Sequence, residues 1–90
     1  MDGREQSRTT READDGIEAA VLAGLIDLHP TRLTIAELVR ELAGEQPSFA
    51  ERDAIERAVR DMGATGLLHR NEPFVEPTRA ALRFSQLLDR

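Results

Sequence analysis

The sequence predicts a small, mainly α domain with a single β-hairpin, in the order helix, short strand, helix, helix, hairpin, helix. Three observations carry this expectation. Apolar residues recur at helical spacing in four stretches. Two Ser/Thr-x-x-Glu capping boxes mark the starts of the second and third helices. The turn-forming cluster Asn71, Glu72 and Pro73 separates two short apolar runs.

Residues 1–13 show no periodicity and almost no large apolar side chain, so a disordered tail is expected there, with the folded domain over 14–90. Ile17, Ala20, Val21, Gly24, Leu25 and Leu28 then follow one helical face, and the first helix is expected from about Asp14 to Leu28. Asp14, Asp15 and Glu18 sit near its positive end. Leu22 and Ile26, with Ala19 and Ala23, fall on the opposite side, so this helix is expected to be covered on two sides. Pro30 ends it. Leu33 and Thr34 are free to form a very short strand.

Thr34 and Glu37 make the first capping box, and Ile35, Leu38, Val39 and Leu42 give the second helix its buried stripe. Gly44 stops it. Ser48 and Glu51 make the second box, which starts a third helix near Phe49 that runs to about Ala64. Ala54, Ile55, Ala58, Val59 and Met62 form its inner face. Leu67 to Arg70 and Phe74 to Glu76 read as the hairpin strands, and Thr78 caps a last helix bearing Ala81, Phe84, Leu87 and Leu88. Leu38, Ile55, Val59 and Leu67 are expected in one core, and Phe49, Phe74 and Phe84 are each expected to pack in it.

Composition narrows the function. The chain has 90 residues, 40% of them hydrophobic and 32% charged, which fits one globular domain. With no cysteine, disulfide frameworks, thiolate metal sites and cysteine nucleophiles are excluded together. No apolar run approaches a membrane span or a signal h-region, so a cytoplasmic protein without membrane attachment is expected. All 12 basic residues are arginine, a bias expected of a GC-rich bacterial genome. The net charge of −5 resides mostly in residues 1–30, whereas 51–90 are neutral.

No catalytic constellation is present. His29 and His69 are far apart in sequence and lack metal-ligand spacing, so no metal or cofactor is expected and both read as surface histidines. Asp14 and Asp15 are helix-start acids, and no glycine-rich phosphate loop occurs. The chain is therefore expected not to be an enzyme, and no small-molecule ligand is expected.

The segments LTIAELVREL (Leu33 to Leu42), ERDAIERAVRDM (Glu51 to Met62) and GLLHR (Gly66 to Arg70), in this order, resemble the winged helix-turn-helix family of bacterial transcription regulators over about residues 17–77. The loop between the second and third helices is longer than the tight turn of the simplest members, and Glu72 occupies a short wing. The resemblance implies binding of double-stranded DNA, with the third helix in the major groove and the wing on the backbone or minor groove. Carried onto this chain, the DNA-binding residues would be Ser48, Arg52, Asp53, Arg57, Arg60, Arg70 and Asn71.

A second reading stands beside it. Asp53 with Arg57 and Glu56 with Arg60 are i,i+4 pairs in the acid-first order, which also describes a solvated, salt-bridged face. The domain would then be a winged-helix module for protein–protein interaction that does not bind DNA. The potential over the third helix and the wing separates the readings: one positive strip favours DNA, and neutralisation by Asp53, Glu56 and Glu72 favours protein. Under either reading a homodimer is expected, with Leu22, Ile26, Leu82, Phe84, Leu87 and Leu88 at its interface.

Overall fold

The computed structural model describes residues 3–89 and the side chains of 11–89. Within these bounds the order is α1 (Gly3–Leu28), β1 (Leu33–Thr34), α2 (Ile35–Ala43), α3 (Phe49–Ala64), β2 (Leu68–Asn71), β3 (Phe74–Pro77) and α4 (Arg79–Leu88). The chain is thus mainly helical with a small antiparallel sheet, as the sequence indicates.

The caps form as the spacing requires. Thr34 and Ser48 each accept from the N–H of the glutamate three residues on, and Glu37 and Glu51 each accept from the cap residue's own N–H. These reciprocal bonds satisfy helix-end donors that otherwise lack a partner. Backbone bonding, then the cap hydroxyls, hold both glutamates below the usual carboxyl value of 4.5. A carboxyl whose pKa is lower folded than unfolded contributes above its unfolded value, and that contribution disappears as pH falls through the lower folded value. Thermal stability is therefore expected to fall on acidification below about pH 4.5, and to fall less in a Glu37→Gln/Glu51→Gln variant. Equal acid sensitivity in melts of the two proteins would show that the caps do not carry this dependence.

Thr78 joins two elements. Its side chain accepts from the N–H of Ala81 at the start of α4, and its hydroxyl donates to the carbonyl of Gly66 at 2.8 Å. Its own N–H donates to the Leu67 carbonyl. The entry to β2 and the start of α4 are thus held together.

The sheet has one strand more than the expected hairpin. β1 pairs with β3, Leu33 opposite Val75 and Thr34 opposite Phe74, giving the order β1-β3-β2. Arg32, just before β1, places its guanidinium 4.9 Å from the Phe74 ring centroid, a cation–π contact across the same junction. The core gathers Val21 and Leu25 of α1, Leu38 and Val39 of α2, Ile55, Ala58, Val59 and Met62 of α3, and Leu68 and Val75 of the sheet.

Several expectations are corrected. The first helix starts at Gly3, not Asp14, so residues 3–13 are helical where a tail was expected; residues 1–2 lie outside the described part. This stretch lacks proline and is rich in Arg, Glu and Gln, so a helix nucleated on the core can propagate into it. The strand after α3 is shifted by one residue, and Leu68 is buried while Leu67 only flanks the core. A shift of one reverses which side chains face inward. Leu42 is half out of the core, and Ala20 is exposed.

Phe49 is 86% exposed and Phe84 63% exposed, so neither packs as expected, while Phe74 is half-buried. Their helices turn other faces inward: Ile55, Ala58, Val59 and Met62 on α3, and Ala81 on α4. The second side of α1 is covered only in part: Leu22 packs against the edge of the core and Ile26 is half-buried, whereas Ala19 and Ala23 are exposed.

Candidate functional site

The surface that matters for either reading is the outward side of α3. Phe49, Arg52, Asp53, Glu56 and Arg60 are all exposed and recur at helical spacing, opposite the core residues of the same helix. The capping box at Ser48 fixes where the helix begins and hence which side chains share this face. Its charged residues are two arginines and two acids, so the face is neutral overall.

Arg57, in the middle of the helix, does not belong to that face. It turns toward α1, where its two terminal nitrogens donate to Asp53 and Asp14, each at 3.1 Å. Asp14 is 43 positions away in sequence. The Arg57 side chain is 41% exposed, so the pairing is a partly solvated clamp between α1 and α3. Such clamps add roughly 0–1 kcal/mol each, and their importance here is positional. Glu18, beside this clamp, has its pKa raised, first by burial and then by Asp15, Asp61 and Asp14.

The two expected i,i+4 pairs behave differently. Asp53–Arg57 forms. Among the described residues Glu56–Arg60 does not, and Arg60 lies instead 3.9 Å from Asp61. The hairpin residues are also separated. Arg70 is opposite Val75 and Asn71 is opposite Phe74, so alternation along the strand sets them on opposite faces of the sheet. The structure therefore brings Arg52, Asp53 and Arg60 together on one helix face, with Ser48 at its start. Arg57 is held in the partly solvated clamp with α1, and Arg70 and Asn71 are divided between two sheet faces.

One feature was missed in the sequence. An open groove of about 410 Å³ lies between α2 and α3, lined by Ile35, Ala36, Val39 and Pro47 with Arg40, Glu45, Arg52 and Glu56. Arg40 and Glu45 approach to 3.9 Å across its rim. Two arginines and two glutamates again balance. The sequence signal was the Gly44 to Ser48 loop, longer than the tight turn of the simplest helix-turn-helix, which joins the two helices beside the groove.

Of the expected dimer residues, Phe84, Leu87 and Leu88 are exposed, while Leu82, Leu22 and Ile26 are half-buried. Among the described residues, no group of His, Asp or Glu side chains is arranged to hold a metal ion, and no helix is long and apolar enough to cross a membrane. His29 and His69 are both exposed. Comparison with protein-family models, curated proteins and solved structures gives no match.

Proposed function

We propose that the chain is a non-catalytic winged-helix module that works through contacts with protein and does not hold duplex DNA. The winged-helix part of this reading is supported by the α2–α3 pair followed by a β2–β3 hairpin whose second strand also pairs with β1. The observation that carries the functional part is the charge on α3: Arg52 and Arg60 are balanced by Asp53 and Glu56, and Arg57 is held by Asp14 and Asp53. A helix lying in the major groove needs net attraction to flanking phosphates, because the released counterions supply much of the affinity. Here two carboxylates would face the same phosphates as the two arginines.

A second reading, a double-stranded DNA-binding transcription regulator, is favoured by one feature. The first turns of α3 are open to solvent, with Ser48, Arg52 and Asp53 exposed where a recognition helix meets base edges.

Titrating the protein into labelled random-sequence duplex at about 50 and 200 mM salt separates the two. The expected result is no binding tighter than about 10⁻⁴ M at the lower salt. Tighter binding that weakens steeply with salt would overturn the proposal. In that case Arg52→Ala and Arg60→Ala become informative, since both side chains are exposed on α3 and loss of one phosphate contact lowers the log–log salt slope by about one.

A further inference from the structure

α4 carries an apolar stripe that its own chain leaves open. Ala81 is buried, with Leu82 and Ser85 half-buried, and this orientation places Phe84, Leu87 and Leu88 in solvent. Arg79 and Arg83, both exposed, run along the edge of that stripe toward the helix start. Read from its N-terminus, the outer side of α4 is therefore basic first and apolar afterwards.

α1 shows the complementary order. Glu12, Asp15, Ala19, Leu22 and Ile26 follow at alternating spacings of three and four, which keeps them in one line along the helix. Glu12, Asp15 and Ala19 are exposed, and Leu22 and Ile26 are half-buried. This line is acidic first and apolar afterwards. Laid parallel, the two helices set Arg79 and Arg83 against the acids, and Phe84, Leu87 and Leu88 against Ala19, Leu22 and Ile26. Ala19 is small enough to leave room for the Phe84 ring. Within one chain α4 is not packed along α1, so the match is unused.

We propose that α4 of one copy docks on α1 of a second copy, and that two-fold symmetry repeats the contact in return. The proposal rests on the protein-contact reading above and names the partner. A two-fold arrangement is closed, so both apolar stripes are covered and no further copy can add. Pairing α4 with α4 of the second copy is the poorer alternative. Antiparallel helices related by a two-fold axis bring like flanks together, which would set Arg83 against Arg83 of the second copy.

Sedimentation equilibrium of the full chain at micromolar concentration tests this, with circular dichroism to confirm that each variant folds. The expected result is twice the chain mass. Arg83→Glu and Asp15→Arg, both at exposed positions, should each weaken association by about tenfold or more, and the double reversal should restore it. A single-chain mass for the parent protein overturns the proposal. So does a dimer indifferent to both reversals, or a double variant no stronger than the single ones. The mass is read without DNA, so failure here and failure of the protein-contact reading are separate results.

Discussion

Replacing Ile55 with alanine is expected to destabilise the fold by about 2–5 kcal/mol, measured by urea denaturation. Ile55 is 5% exposed and lies in the same cluster as Leu38, Val59, Met62, Leu68 and Val75. Shortening it removes buried methyl groups and leaves a cavity whose walls belong to rigid helices, so the site can close only in part. For a domain of this size the whole stability is roughly 5–15 kcal/mol, and each kcal/mol shifts the melting temperature by about 4–8 °C. The companion variant Phe49→Ala should change stability by less than about 0.5 kcal/mol, because that ring is 86% exposed. The pair of measurements reports the roll of α3 about its axis. If Phe49→Ala proved costly and Ile55→Ala harmless, the helix would be turned the other way and the neutral face described above would not be its outer face.

Gly44→Ala is expected to cost about 1–3 kcal/mol for a different reason. Gly44 ends α2 with φ 87° and ψ −176°, a conformation essentially closed to residues with a β-carbon, while its N–H donates to the Arg40 carbonyl. A methyl group built there meets nothing within 4 Å, so the cost is in the backbone and not in crowding. Gly63 is the control. It lies inside α3 without a positive φ, its added methyl also meets nothing within 4 Å, and Gly63→Ala should stabilise by roughly 0.5–1 kcal/mol. Equal effects of the two substitutions in thermal melts would show that the Gly44 conformation is not what ends α2. Because Gly44 opens the loop to Ser48, a misplaced turn there should also alter the groove between α2 and α3.

What the sequence determined by itself was everything set by near neighbours along the chain. Thr34 with Glu37, Ser48 with Glu51, and Thr78 act over three residues, so their caps could be read from spacing alone, and with them the starts of α2, α3 and α4. Gly44 and the apolar periods of α2 and α3 were legible for the same reason. The candidate site was legible only as residue types.

The tertiary structure decided how each helix is rolled and what lies across from it. Phe49 and Phe84 are among the most apolar side chains available, yet they face solvent because Ile55, Val59 and Met62, or Ala81, win the single inward direction. Asp14 captures Arg57 from 43 positions away, a pairing that no local period encodes, and this ties the central arginine of α3 to α1. Leu33 reaches Val75 across nearly half of the chain, which adds a third strand to the hairpin. In each case the deciding contact joins elements distant in sequence. Propensity and spacing fix which elements form, whereas packing in three dimensions fixes which of their faces and charges remain open to a partner.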